Sequence, residues 1–108
     1  MNELLRKKQE WLERLKREGK LRNPTEDHKI GLMALQNRIR REIIKFLADG
    51  RKSKEEIKKR FRLTDSQLRL HLDLLEQALF IEAVEEDGKR FYVITPRGEA
   101  YLENVEWR

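Results

Sequence analysis

The segment from residue 64 to residue 80, TDSQLRLHLDLLEQALF, constrains the fold of this chain more than any other. Thr64 and Gln67 have the spacing of a capping box, which marks the start of a helix. Four leucines then recur at helical spacing and predict one buried stripe, formed by Leu68, Leu72, Leu75 and Leu79. The opposite side is polar and faces solvent or a partner, and it carries Asp65, Ser66, Arg69 and Asp73.

A second short helix is predicted directly upstream, from Ser53 to about Phe61, with Arg62 and Leu63 as the link. Two helices joined by so tight a turn form a helix-turn-helix, whose second helix normally enters the major groove of DNA. The segment 64–80 is therefore interpreted as a recognition helix.

The chain after the recognition helix predicts a hairpin and a final helix. Residues 81–85 and 90–94 are rich in β-forming side chains, and Asp87-Gly88 between them is the strongest short signal for a hairpin turn. Thr95 then provides an N-cap and Pro96 a first helical residue. The apolar side of this last helix is predicted to consist of Ala100, Tyr101, Leu102 and Val105, with Trp107 just beyond it.

Residues 2–18 predict an amphipathic helix that begins at Asn2 and ends at Gly19. Its stripe packs either on the rest of the domain or on a second copy of the chain. We expect a homodimer, with residues 1–22 as the dimerisation helix and residues 23–108 as the main domain. The expected interface consists of Leu4, Leu5, Trp11, Leu12, Leu15, Tyr101 and Leu102.

The segment between these parts predicts two further helices. Thr25 is interpreted as the N-cap of a short helix whose apolar residues are Ile30, Leu32, Met33 and Leu35. Asn37 is interpreted as the cap of a helix over 38–48, with a core stripe of Ile39, Ile43, Phe46 and Leu47. The leucines of the recognition helix are expected to pack on Ile43 and Phe46. The predicted fold class is mostly α with a small β-hairpin wing (α+β), a winged helix-turn-helix with added terminal helices.

Composition narrows the possible functions. The chain has 108 residues, no cysteine, a net charge of +5 and 42% charged residues, which indicates one domain without disulfides or thiolate metal sites. It contains no apolar run of membrane-spanning length. We therefore expect a cytoplasmic protein, and the abundance of lysine, arginine and glutamate favours a thermophilic source. Residues 51–62 hold seven lysines and arginines against two acidic residues, and residues 1–22 hold eight against four. Such basic clusters favour contact with phosphates, although they also suit solvated helices.

Several motifs resemble the ArsR-type family of winged helix-turn-helix transcription regulators over about residues 32–102. Residues 34–40, ALQNRIR, resemble the family's A-L-A-D-P-T-R entry, and EIIKFL at 42–47 resembles the helix that follows it. Residues 63–75, LTDSQLRLHLDLL, are similar to its recognition helix L-S-Q-S-T-V-S-H-H-L-K-V-L. ITPRG at 94–98 resembles the L-T-P-x-G of MarR- and PadR-type regulators. Where arsenic and zinc sensors of the family carry a cysteine motif, this chain has KSKEE at 52–56.

The resemblance implies a homodimeric regulator that binds double-stranded DNA. The expected base contacts come from Ser66, Gln67 and Arg69 near the start of the recognition helix, because glutamine can pair with adenine and arginine with guanine. The full set of predicted DNA-binding residues is Lys54, Lys58, Lys59, Ser66, Gln67, Arg69, Leu70, Asp73, Lys89 and Arg90. Arg38 and Arg41 are additional candidates for phosphate contacts.

A second interpretation stays open, because Asp73 stands where the family has a basic residue and Leu70 where it usually has a polar one. An acidic helix with an exposed leucine also suits a winged-helix module that binds another protein. His71 is expected to have a packing role and His28 a solvated one. The sequence contains no convincing catalytic triad and no glycine-rich phosphate loop, so neither an enzyme nor a cofactor is predicted.

Overall fold

The computed structural model describes residues 2–106, and the side chains as far as residue 104. Within this range the chain forms six helices and three strands. In chain order they are α1 (Glu3–Arg17), α2 (Pro24–Leu35), α3 (Arg38–Phe46), β1 (Lys52–Ser53), α4 (Lys54–Phe61), α5 (Asp65–Gln77), β2 (Ile81–Glu86), β3 (Lys89–Ile94) and α6 (Pro96–Glu106). Val105 has no described side chain and Trp107 lies outside the described residues. The predicted fold class is confirmed.

The helix-turn-helix consists of α4 and α5, and both helices begin with a capping box. Ser53 caps α4 together with Glu56, and Thr64 caps α5 together with Gln67. Between them Arg62 has a left-handed backbone conformation, with φ at 53°, which ends α4 abruptly. The turn buries Leu63 in the domain interior. The helix predicted from residue 64 is confirmed, although it ends at Gln77. Leu79, predicted on its stripe, lies beyond the end with φ at 65°.

The wing is a three-stranded antiparallel sheet in the order β1-β3-β2. β2 and β3 form the predicted hairpin, in which Asp87 and Gly88 have φ values of 52° and 76°, as a type I′ turn requires. β1 was not predicted. It has only two residues, and Lys52 is the register partner of Tyr92 on β3. Two residues are too few to show the alternation of apolar and polar side chains by which a strand is recognised in a sequence.

One hydrophobic core joins the helices to the sheet. As predicted, Leu68, Leu72 and Leu75 are buried together with Ile43, while Phe46 is half-buried at the edge of this cluster. Its other fully buried members include Ile44, Leu47, Ile57 and Ile81. The stripe of α5 therefore fixes which side of that helix faces outward.

The structure corrects the start of α2. The N-cap is Asn23, whose side chain accepts a hydrogen bond from the backbone N–H of Glu26 at 2.8 Å, and Pro24 is the first helical residue. Thr25 is therefore inside the helix. The apolar side also differs from the prediction, because Leu32 and Met33 are exposed and Gly31 and Ala34 are buried instead.

The amphipathic helix α1 packs on its own domain. Trp11 and Leu15 are buried within the single chain, and Trp11 donates a hydrogen bond from Nε1 to Glu82 Oε1 on β2 at 3.2 Å. Arg14 donates to the other oxygen of the same carboxylate at 2.6 Å. Only part of the expected dimer interface on α1 is therefore available to a second copy. Trp11 and Leu15 are covered by their own domain, whereas Leu4, Leu5 and Leu12 are exposed.

Candidate nucleic-acid interface

The outward side of α5 presents short polar groups near its start. Ser66 and Arg69 are exposed, as are Leu70 and Asp73 further along the helix, and Leu70 is 56% exposed. This surface follows from the buried leucines on the other side of α5. It places the predicted base-contacting residues at the N-terminal end of an exposed helix, where recognition helices reach base edges.

Gln67 is engaged in the cap of α5. Its side-chain oxygen accepts a hydrogen bond from the backbone N–H of Thr64 at 3.0 Å, while Thr64 Oγ1 accepts one from the N–H of Gln67 at 3.1 Å. Two-pronged pairing with adenine needs both the oxygen and the nitrogen of a glutamine side chain. Gln67 would therefore have to leave the cap in order to read an adenine in this way.

The lysines of α4 differ in their surroundings. Lys54 and Lys59 are exposed. Lys58 forms an ion pair with Asp65, the first residue of α5, with 2.6 Å between Nζ and Oδ1. The hydrogen bond between them raises the pKa of Lys58 and lowers the pKa of Asp65. Lys58 is thus already paired with a carboxylate of its own chain.

Two further arginines have partners within the domain. Arg41 donates from Nη1 to the carbonyl oxygen of Leu35 at 2.6 Å, which limits its reach as a phosphate contact, whereas Arg38 is exposed. Arg51 forms an ion pair with Glu86 on β2 and stacks over the ring of Phe91 at 4.2 Å. Arg51, which directly precedes β1, therefore links the chain at that point to β2 and β3 of the hairpin.

The predicted wing contacts, Lys89 and Arg90, are exposed on β3 close to the hairpin turn. Arg90 and Asp73 also line one groove of about 700 Å³ between α5, the wing and the end of α1. Glu76 lies in the same groove, where burial raises the pKa of its carboxyl group while Arg90 opposes that shift. The structure thus brings Asp73 towards the wing, away from the N-terminal end of α5.

His71 has the packing role that was expected, and its partner is a residue that sequence reasoning missed. Arg40 is 8% exposed and donates from Nη1 to His71 Nδ1 at 3.2 Å. The same guanidinium donates to the carbonyl oxygens of Ala34 and Met33. Burial and the nearby Arg40 lower the pKa of His71. His28, in contrast, is exposed.

The sequence analysis placed Asp65 on the outward side of α5 and Arg51 in the basic segment 51–62, but it identified the ion-pair partner of neither residue. Only the tight link at Arg62 and Leu63, which brings the end of α4 close to the start of α5, pointed to the contact between Lys58 and Asp65. The pairing of Arg51 with Glu86 depends on the sheet register, which the unpredicted strand β1 sets.

The structure is similar to several solved structures of bacterial proteins. Reduced HlyU from Vibrio cholerae has 25% sequence identity and a TM-score of 0.66, over 76% of this chain and 87% of that chain. A homodimeric winged helix-turn-helix DNA-binding domain from Mycobacterium bovis, described as a possible ArsR-family transcriptional regulator, has 22% identity and a TM-score of 0.70, over 76% and 77%. The transcriptional repressor BigR from Xylella fastidiosa has 17% identity and a TM-score of 0.62, over 75% and 85%.

These similarities confirm the winged helix-turn-helix fold of ArsR-type regulators. No protein-family model matches the chain, and neither does any curated protein. Between residues 2 and 106 no helix combines the length and the apolar character needed to cross a membrane. The same range contains no group of three or more histidine or acidic side chains that could hold a metal ion.

Proposed function

We propose that this chain is a transcription regulator that binds double-stranded DNA sequence-specifically as a homodimer. One observation carries the proposal: the N-terminal half of α5 is exposed and polar, and its buried leucine stripe holds it in that orientation. The similarity to a solved DNA-binding domain of the same fold supports it. The proposal includes no catalytic step and no cofactor, and it assigns the protein to the cytoplasm.

In the proposed complex α5 enters the major groove. Arg69 is the strongest candidate for a base contact, because a guanidinium pairs with guanine through two hydrogen bonds, and Ser66 lies one turn before it. Lys54 and Lys59 on α4 contact phosphates, which sets the register without reading sequence. Lys89 and Arg90 extend the contact to the backbone beside the groove.

The homodimer rests on the part of α1 that the domain leaves uncovered. Leu4 is 67% exposed and Leu5 51%, and both lie at the start of α1. Leu12 lies two turns further along and is also exposed. Tyr101 and Leu102 on α6 are half-buried against the core of their own domain, and in the proposal their uncovered parts join the interface. A dimer of this kind would present two recognition helices about 34–36 Å apart, one turn of DNA.

A second candidate function is docking of a partner protein on α5. Leu70 is an exposed leucine in the middle of the recognition helix, and Asp73 and Glu76 make the C-terminal half of the helix acidic. Carboxylates repel phosphates, whereas an acidic helix with an apolar residue suits a basic protein surface. In this interpretation the lysines of α4 are an ordinary solvated surface.

Binding to bulk genomic DNA at a series of salt concentrations separates the two functions. If about six phosphates are neutralised, the logarithm of the binding constant falls with the logarithm of salt concentration at a slope near −5. A protein-docking module would bind genomic DNA weakly at every salt concentration and would show no such slope.

A further inference from the structure

The ion pair between Lys58 and Asp65 spans the turn of the helix-turn-helix. Lys58 is in the last turn of α4 and Asp65 is the first residue of α5, and Nζ and Oδ1 are 2.6 Å apart. Their hydrogen bond lowers the pKa of Asp65 and raises that of Lys58. Both groups are therefore charged around neutral pH.

This ion pair is open to solvent. The side chain of Asp65 is 83% exposed and that of Lys58 is 35% exposed. Water screens exposed ion pairs, so such a pair adds little to the stability of a fold. The turn is already fixed by the capping box of Thr64 and Gln67 and by the buried Leu63. The main consequence of the pair therefore concerns what approaches this surface.

Asp65 lies beside the residues proposed to read DNA. It directly precedes Ser66, at the end of α5 that reaches base edges in complexes of this kind. A phosphate that binds Lys58 competes with Asp65 for the same ammonium group, and a displaced carboxylate then faces a polyanion without its cation. Any duplex imposes this cost, whatever its sequence.

One base pair can offset the cost. The amino group of cytosine points into the major groove and donates a hydrogen bond to a carboxylate. A site that places a cytosine opposite the start of α5 gives the displaced Asp65 a new partner, whereas a site without this cytosine leaves it unpaired. Asp65 would then weaken binding to every duplex, but it would weaken binding least at a site that offers this cytosine.

We infer that Asp65 is a specificity-determining residue, released from Lys58 by a DNA phosphate and discriminating for a cytosine in the major groove. This inference rests on the proposed DNA-binding function. It assigns to the Lys58–Asp65 ion pair a role in selecting sites rather than in holding the fold.

The test compares the natural protein with Asp65→Asn on two duplexes, a mixed-sequence one and the best one that the natural protein selects from a random pool. Asp65→Asn should bind the mixed-sequence duplex about threefold to tenfold more tightly, with a salt slope steeper by up to about 0.9. The preference for the selected duplex should fall by roughly fivefold or more. A pool selected with Asp65→Ala, which lacks the acceptor oxygen that asparagine keeps, should lose one cytosine that the natural protein requires.

The matched control is Asp49→Asn. Asp49 is 84% exposed and forms an ion pair with Lys52 at 2.8 Å, so it has the same chemistry outside the helix-turn-helix. This variant should bind both duplexes as the natural protein does. In addition, Lys58→Ala should reduce affinity for the mixed-sequence duplex more in the Asp65→Asn background than in the natural one, because only there is Lys58 free from the start.

The two proposals fail in different ways. If the natural protein binds neither duplex at low salt, the DNA-binding function is wrong and this inference falls with it. If the natural protein binds and Asp65→Asn has the same affinity and preference, only the role of Asp65 is wrong. Circular dichroism and the melting temperature of each variant show whether the fold is retained.

Discussion

Arg40 donates a hydrogen bond from Nη1 to Nδ1 of His71 over 3.2 Å in the interior of the domain. Because the guanidinium also donates to the carbonyl oxygens of Met33 and Ala34, one side chain joins the end of α2 to the middle of α5. A guanidinium has no lone pair to offer, so His71 must be the acceptor and must be uncharged.

Mild acid should therefore destabilise the fold through His71. Burial and Arg40 lower the pKa of this histidine in the folded state, while an unfolded histidine takes up its proton near about pH 6.5. Between these two pKa values the unfolded state binds more protons, so the free energy of unfolding falls as the pH falls. Urea denaturation at pH about 7.5 and about 5.5 measures the effect.

His71→Gln should show a smaller loss of stability over this range, and His28→Gln should behave as the natural protein does because His28 is exposed. The raised pKa of Glu76 acts in the opposite direction, but it is common to all three proteins. Equal pH dependence in His71→Gln and the natural protein would contradict the account of this pair.

The helix α1 should behave as part of the core at its C-terminal end and as a surface elsewhere. Leu15 is 1% exposed and Leu12 is 39% exposed. Leu15→Ala should therefore lower the free energy of unfolding of the monomer by about 2–5 kcal/mol, whereas Leu12→Ala should change that of the monomer by less than about 0.5 kcal/mol. Denaturation at a concentration low enough to keep the natural protein and both variants monomeric measures the difference, because Leu12 belongs to the proposed dimer interface. Similar losses in the free energy of unfolding for the two variants would mean that α1 packs on the domain with a different side.

Features that depend on residues close together in the chain were largely predictable from the sequence, whereas contacts between distant residues were not. Helix starts at Asn2, Asn37, Ser53 and Thr64 were predictable because each cap bonds to a residue three positions away. The start of α2 was predicted wrongly despite the same spacing, because Thr25 competes with Asn23 as a capping residue. The partner of Trp11 was not, since Glu82 lies 71 residues further along the chain. An amphipathic stripe shows that a helix is covered, but it does not show by what.

The candidate site had a similar limit. The exposed side of α5 was predictable from the leucine spacing, and Arg69 and Ser66 lie on it. The capping-box spacing already indicated that Gln67 is used in its own helix cap. What the sequence could not show was that Asp65 holds Lys58 across a turn whose geometry depends on the left-handed Arg62.

The oligomeric state provides a separate test. Light scattering should show a dimer for the chain at tens of micromolar, formed through the exposed leucines of α1. The double substitution Leu5→Lys with Leu12→Lys should yield a folded monomer, because it places charges on the uncovered side and leaves Trp11 and Leu15 in place. Leu32→Lys, on an exposed position of α2, should remain a dimer. A monomeric natural protein would remove the homodimer proposal.

Two substitutions separate base reading from phosphate contact. Arg69→Ala should weaken binding to a selected site by about 1–3 kcal/mol and leave non-specific binding nearly unchanged, because it removes a contact to a base. Lys59→Ala should weaken binding to all duplexes alike and make the salt slope shallower by about 1. Fluorescence anisotropy on selected and mixed-sequence duplexes measures both. Equal effects of Arg69→Ala on the two duplexes would contradict its role in reading bases.

Asp73 is the residue of α5 that most separates a DNA-binding helix from a protein-docking one. It is exposed in the groove between α5 and the wing. If α5 faces a duplex, this carboxylate lies near phosphates and repels them. Replacing it with a cation should then strengthen non-specific binding, whereas a helix that docks a protein gains no affinity for DNA.

The affinities of the natural protein and of Asp73→Lys for a mixed-sequence duplex at low salt test most directly whether α5 faces DNA. We expect the natural protein to bind, and Asp73→Lys to bind more tightly with a steeper salt dependence. If neither protein binds the duplex, α5 does not face DNA, and its acidic side with Leu70 is a protein-docking surface.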